Sequence, residues 1–138
     1  MFRRIAHLGI AVKDLDAAIR IYRDTLGLEM AGIEEVAEQK VKVAMFPVGE
    51  SRLELLASTS PDGPIARHIE KKGEGIQHVA FVVEDLERTL AEFKARGVPL
   101  IDEKPRIGAG GHKIAFVHPK GTGGILVELT QMDHPERG

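Results

Sequence analysis

Two stretches of the chain carry the same order of hydrophobic and polar positions. Residues 5–12 (IAHLGIAV) and 75–83 (GIQHVAFVV) each alternate in a way that predicts a half-buried strand, and each contains one histidine. An aspartate and then apolar residues at helical spacing follow both stretches, which predicts a capped amphipathic helix. When His7 is aligned with His78, these aspartates and apolar positions also align. The chain therefore contains an internal repeat.

The first copy predicts a strand over about 4–12 and a helix over about 15–26 that ends before Gly27. The buried stripe of this helix is expected to be Leu15, Ala18, Ile19, Tyr22 and Leu26. Three further strands are predicted at about 28–36, 41–47 and 52–57.

The second copy repeats this order after a linker over 58–74. The linker contains a turn and a short helix that begins at Pro64 and ends at Gly73. The second copy is expected to form a strand over 75–83, a helix over 85–96, and strands near 99–104, 112–118 and 123–130.

Each copy is thus a βαβββ unit whose single helix would cover only one face of its sheet. Two copies side by side would form one curved eight-stranded sheet, with the helices outside and a metal-binding cleft inside. The predicted fold class is α+β, in a single domain over 1–138. Within it, module one spans about 4–57 and module two about 75–131.

Each copy closes on a strand in which a glutamate, Glu54 or Glu128, lies between two aliphatic residues (LEL and VEL). A charged glutamate is costly to bury there unless it is paired or bound to a metal. Taken singly, each glutamate could face water, and each histidine could be a half-buried, hydrogen-bonded ring. Because His7, Glu54, His78 and Glu128 occupy matching positions in the repeat, we interpret them as four ligands of one metal ion.

Two imidazoles and two carboxylates suit a six-coordinate divalent ion such as Co, Mn, Ni, Fe or Zn. Four protein ligands leave two positions for water or for two oxygens of a chelating substrate. The ion could then act as a Lewis acid that stabilises a developing enolate. The chain has no cysteine, which excludes thiolate ligands and disulfides.

Charge and hydropathy exclude several other classes of protein. The formal net charge is -2, with acids and bases interspersed, so the sequence offers no basic patch for nucleic acid. No apolar run approaches the roughly 20 residues that span a bilayer. The first residues, MFRR, lead directly into a strand and do not have the pattern of a signal peptide. We expect a cytoplasmic protein whose partner is a small molecule.

The chain resembles the vicinal oxygen chelate superfamily and, within it, the methylmalonyl-CoA epimerases, across nearly its whole length. The resemblance is carried by HLGIAVKDLDAAIRIYRDTLGL, SRLELLA, SPDGPIARHIEKKGEGIQHVAFVV and IGAGGHKIAFVHPKGTGGILVELTQ. The last stretch is the most specific, because HPK followed by Gly-Gly and a VEL strand separates these epimerases from most relatives. The set of four ligands is shared with glyoxalase I.

This resemblance implies that the protein interconverts (R)- and (S)-methylmalonyl-CoA by proton transfer at C2 through a metal-stabilised enolate. Glu128 corresponds to the last glutamate of the family, which serves as both ligand and base. Some members place a second catalytic carboxylate where this chain has Lys42 or Val43, and can carry glutamine where it has Glu54. Glu54 is therefore expected to be the second base, and Glu38 is a weaker candidate.

Two alternatives remain open: a glyoxalase I-like lactoylglutathione lyase, and a non-catalytic antibiotic-binding protein of the same fold. For an epimerase, coenzyme A is expected near the Ile107–Lys113 loop. The cations expected to bind its phosphates are Lys104, Arg106, Lys113 and Lys120. By analogy with relatives of this size, we expect a homodimer.

Overall fold

The computed structural model describes residues 2–132, which form eight strands and three helices. The strands are β1 (Phe2–Ala11), β2 (Gly32–Val36), β3 (Val41–Val48), β4 (Ser51–Ser58), β5 (Gly75–Val83), β6 (Arg106–Ile107), β7 (Lys113–Val117) and β8 (Leu126–Gln131). The helices are α1 (Leu15–Ile19), α2 (Pro64–Lys72) and α3 (Leu86–Ala95). None of the helices described is long and apolar enough to cross a membrane.

The predicted α+β class, with two βαβββ modules, is confirmed by the order of these elements. Module one is β1-α1-β2-β3-β4, module two is β5-α3-β6-β7-β8, and α2 lies in the predicted linker. The strands are hydrogen-bonded in the order β2-β3-β4-β1-β5-β8-β7-β6. By packing, the described residues divide into two compact units. One is Leu8–Gln77, and the other consists of residues 2–7 together with residues 78–132. That the chain is a single domain stays a prediction.

In the Leu8–Gln77 unit, alternate residues of β3 and β4 pack on opposite faces. One face joins Phe46 and Leu55 to α1 through Ile19, as the apolar stripe of α1 predicts. The other face joins Val43 and Leu56 to α2 through residues such as Ile65. A helix therefore covers each face of this hairpin, and Glu54 lies on the same face as Leu56.

The first helix differs from its prediction in its second half. After α1 the chain continues as a wider π-helical segment, Arg20–Thr25, and the N–H of Leu26 donates to the carbonyl of Ile21 five residues earlier. Gly27 then ends the segment at a φ of 80°. The expectation that Leu26 is buried is wrong, since 60% of it is exposed. The wider winding shifts later residues around the helix axis, away from the buried stripe.

In the second unit, α3 packs on one face of β5, β7 and β8. Asp85 caps this helix, because its side chain accepts from the N–H of Arg88. The buried cluster under α3 is Val83, Leu86, Leu90, Ala115, Val117, Val127 and Leu129. The residues that alternate with these point to the other face of the strands. This second face carries the polar residues of the site.

The strand predicted near 99–104 does not form. Leu100 makes one isolated bridge with Val117, and regular pairing is limited to the two residues of β6. The carboxylate of Asp102 instead accepts the backbone N–H of Phe116 at 2.9 Å, a bond that a strand partner would otherwise make. Pro99 and Pro105 flank the segment and have no N–H to donate.

Candidate active site

Three of the four predicted ligands converge within the second unit. His7 lies on β1, His78 on β5 and Glu128 on β8. Glu128 is in register with Ala80, two residues after His78, so that the side chains of His78 and Glu128 leave the same face of the paired strands. All three residues are buried, with at most 6% of any one exposed.

The three side chains meet at their polar ends. The Nε2 atoms of His7 and His78 are 3.0 Å apart, and one ring donates to the other. The Oε1 atom of Glu128 is 3.6 Å from Nε2 of His7 and 3.3 Å from Nε2 of His78. Two ring nitrogens and one carboxylate oxygen therefore point at one place.

These separations fit a bound divalent ion. Two ligand atoms that each lie about 2.1 Å from one ion are about 3.0 Å apart at a right angle and about 3.4 Å apart at a tetrahedral angle. The observed separations of 3.0, 3.3 and 3.6 Å cover this range. Nitrogen and oxygen donors of this kind suit transition metals.

Glu128 is held as an anion in this cluster. Burial raises the pKa of its carboxyl group, but the hydrogen bonds and charges of His7 and His78 outweigh burial and lower the pKa to about 2. A carboxylate that stays ionised at neutral pH can bind a cation without first losing a proton.

Glu54, the fourth predicted ligand, lies on β4 in the Leu8–Gln77 unit. Only 3% of Glu54 is exposed. Its Oε2 atom accepts from Nε of Arg52 at 2.8 Å, and both side chains leave the same face of the strand because they are two residues apart. The structure thus provides a cation for this buried carboxylate, as burial of a charge requires.

Each of the other positions considered for a second base lacks either burial or a carboxylate. Val43 is 2% exposed and apolar, and Lys42 points to solvent. Glu38 is exposed in a short turn between β2 and β3. Glu54 is therefore the buried carboxylate among these candidates.

The sequence did not single out Arg52, Asp102 or Phe116. The position of Arg52, two residues before Glu54, was a usable signal, since strand alternation brings such residues side by side. Phe116 is in register with Glu128, and its ring meets that of His78 edge to face at 6.0 Å. That contact depends on the register of β7 and β8, which the sequence alone does not reveal.

The predicted coenzyme-binding cations lie around one surface pocket and one turn. A pocket of about 560 Å³ is lined by Glu87, Glu103, Lys104, Pro105, Arg106, Ile107 and Lys113. Three of the four predicted cations are therefore neighbours. Lys120 lies instead in the short turn Pro119–Gly121, where its N–H donates to Nδ1 of His118.

Comparisons with known proteins give consistent results. The model of the glyoxalase/bleomycin resistance protein/dioxygenase superfamily matches residues 6–116. The uncharacterized protein YqjC of Bacillus subtilis is 44% identical, over 93% of this chain and 91% of its own length. The ethylmalonyl-CoA/methylmalonyl-CoA epimerase of Cereibacter sphaeroides is 37% identical, over 96% of this chain and 100% of its own.

Among solved structures, a variant of the methylmalonyl-CoA epimerase of Streptomyces coelicolor in complex with 2-nitronate-propionyl-CoA superposes with a TM-score of 0.92. The two proteins are 37% identical, and the match covers 96% of each chain.

Proposed function

The chain belongs to the glyoxalase/bleomycin resistance protein/dioxygenase superfamily, and we propose that within it the protein is a methylmalonyl-CoA epimerase. The observation that carries this proposal is the buried convergence of two imidazoles and one carboxylate, those of His7, His78 and Glu128. Relatives named as epimerases of this substrate match over nearly the whole chain.

The reaction exchanges one proton at C2 of the acyl group. A carboxylate takes the proton, the C–H electron pair forms a double bond between C2 and the thioester carbon, and the carbonyl π pair moves onto the oxygen. A proton is then delivered to the opposite face of C2, and the carbonyl re-forms. Glu128, anionic and buried beside the two histidines, is the first of these groups. Glu54, the other carboxylate that is buried among the residues the structure describes, is the second.

His7, His78, Glu54 and Glu128 would hold a divalent ion such as Co, Mn, Ni or Zn. When bound, such an ion withdraws electron density from the thioester carbonyl and so acidifies C2. The buried setting of all four side chains strengthens their interactions with a charged substrate by lowering the local dielectric.

We propose that the coenzyme binds at the pocket that contains Lys104 and Lys113, with Lys120 as a further phosphate partner. Because these lysines are exposed, each contributes modestly. Reversing the charge of Lys104 and Lys113 together should raise the KM for methylmalonyl-CoA. For a thioester of pantetheine, which lacks the nucleotide phosphates, the same double change should raise KM less.

Exchange of the C2 proton of methylmalonyl-CoA for solvent deuterium tests the proposal directly. Formation of lactoylglutathione from the hemithioacetal of methylglyoxal and glutathione should be assayed in parallel with the same protein. Exchange without lactoylglutathione formation is the expected result. Activity in the second assay alone would identify a glyoxalase I-like lyase. A protein that is purified without metal, and that stays inactive in both assays after metal is added, would favour a binding protein.

We further propose that the enzyme is a cytoplasmic homodimer, since symmetric dimers are the commonest assemblies of soluble chains. Sedimentation should show twice the mass of the 15.1 kDa chain at micromolar concentration. A monomer at that concentration would contradict the proposal.

A further inference from the structure

Arg106 differs from Lys113 in the face of the strands on which it lies. Arg106 is in register with Ile114 on β7, and Phe116 follows two residues later on the same face. Phe116 is in turn in register with Glu128 on β8. Lys113 pairs with Ile107 and therefore belongs to the opposite face. Arg106 thus shares its face with Glu128 and His78.

The guanidinium of Arg106 is held in a defined place on this face. Its Cζ atom lies 5.2 Å from the centre of the Phe116 ring, an arrangement that favours a cation over an aromatic face. Its Nε atom is 3.5 Å from Oδ2 of Asp102, whose side chain is only 17% exposed. The same Oδ2 accepts the backbone N–H of Phe116, which fixes Asp102 relative to β7.

The aromatic ring that Arg106 covers also contacts the site. Phe116 meets the ring of His78 edge to face, so one side chain separates the guanidinium from a predicted metal ligand. Lysines 104 and 113 have no such connection to the site in the part of the chain that the structure describes. A positive charge therefore lies one side chain away from His78, on the strand face that also carries Glu128.

We infer that Arg106, positioned by Asp102 and Phe116, binds the free carboxylate of the substrate's acyl group and so selects malonyl-type thioesters. This inference rests on the proposed function. The carboxylate is attached to the same carbon as the thioester carbonyl, so it lies at the reacting end of the substrate. The coenzyme phosphates lie a whole pantetheine arm away. With Asp102 on the Nε side, the two Nη atoms can form the parallel bonds that a carboxylate accepts.

The test compares two substrates, methylmalonyl-CoA and methylmalonyl-pantetheine, in the C2 exchange assay. Arg106→Met should raise KM about 10-fold or more for both thioesters, the usual effect of losing a charged hydrogen bond, while kcat changes less. Lys113→Met, in the same pocket but on the other face, is the matched control. It should raise KM only for the CoA thioester. A loss in Arg106→Met confined to the CoA thioester would assign Arg106 to the phosphates and overturn the inference.

Asp102→Asn tests the positioning role separately. Asparagine keeps an acceptor for the Phe116 N–H but loses the charge that faces Arg106, so KM should rise for both thioesters with the unfolding midpoint nearly unchanged. In the double variant, Asp102→Asn should raise KM little beyond the effect of Arg106→Met, because Asp102 acts through Arg106. Full additivity of the two changes would contradict that role.

Binding of malonate, measured by calorimetry, separates this inference from the proposed function. Affinity should fall about 10-fold in Arg106→Met, as for the thioesters. If the parent protein exchanges the C2 proton but Arg106→Met matches it in both assays, the inference is wrong and the epimerase proposal stands. If malonate binds through Arg106 but no exchange occurs, the carboxylate site stands and the epimerase proposal is wrong.

Discussion

Glu54 lies in a nearly dry environment, and the guanidinium of Arg52 donates to its carboxyl group at 2.8 Å. The Arg52–Glu54 pair is 5–20% exposed, whereas the pair of Arg3 and Glu84 is 48–63% exposed at a similarly short separation. Burial should therefore make the first pair far more important to stability than the second.

Arg52→Met should lower the free energy of unfolding by about 3 kcal/mol, because it removes the cation that is hydrogen-bonded to a buried carboxylate. Methionine retains much of the apolar stem, so lost packing contributes little. Denaturant unfolding at neutral pH in the presence of a chelator measures the loss. Arg3→Met is the matched control and should cost less than about 1 kcal/mol. Equal losses in the two variants would show that burial does not govern these pairs.

The two buried glutamates are expected to act on opposite faces of C2. Glu54→Gln should abolish epimerisation but still allow solvent exchange with one substrate enantiomer, and Glu128→Gln should show the opposite preference. Each loss should reach about 10²–10⁴-fold, the usual contribution of a positioned base. Metal content must be measured for each variant, since a lost ligand would also lower activity. A fully active Glu54→Gln enzyme would move the search for the second base to Glu38.

At the scale of elements, the turn after β4 is tied to the turn that precedes β3. The carbonyl of Lys40 accepts the N–H of Thr59 at 2.9 Å, and Nζ of Lys40 donates to Oδ2 of Asp62 at 2.9 Å. The hydroxyl of Ser60 also donates to Asp62. Ser60 first and Lys40 second lower the pKa of Asp62 from 3.8 to about 2.

This lowered pKa predicts how the turn responds to acid. Because the folded pKa lies below the unfolded one, the contribution of Asp62 is complete above about pH 4 and disappears as the pH falls towards 2. Asp62→Asn should therefore be less stable than the parent at pH 6, and the difference should shrink below pH 4. Carbon NMR can follow the titration of the Asp62 carboxyl group. The pH midpoint of this titration should rise more in Ser60→Ala than in Lys40→Met. A midpoint near 4 in the parent would contradict the assignment.

Local patterns predicted most elements but missed two departures from regular geometry. Asp14 and Asp85 cap their helices as predicted, since the sequence signal and the hydrogen bond concern the same few residues. The first departure is the π-helical turn after α1, which is closed by backbone bonds such as that of Leu26 with Ile21. The second is the missing strand near 99–104, where Asp102 takes the hydrogen bond of the Phe116 N–H. Asp102 and Phe116 are 14 residues apart, and no local pattern specifies that contact.

At the scale of the whole chain, the internal repeat was the most informative feature of the sequence. It predicted the two βαβββ modules and singled out His7, His78 and Glu128, which the structure brings together. Their role as metal ligands stays a prediction. The sequence grouped Arg106 with the phosphate-binding lysines because of its charge. Only the register of β6 and β7 shows that Arg106 and Lys113 lie on opposite faces.

A metal that binds these residues should stabilise the whole protein. At about 100 times its Kd, a ligand that binds only the folded state adds about 2.7 kcal/mol, which for a chain of this length raises Tm by about 10 °C. Adding Co, Mn, Ni or Zn to chelator-treated protein should produce such a shift in a thermal unfolding scan. His78→Ala should abolish it, measured against its own metal-free baseline. His118→Ala is the matched control, because His118 is exposed and caps a short turn outside the cluster. If His118→Ala lost the shift while His78→Ala kept it, or if no ion raised Tm, the buried histidines would not be metal ligands.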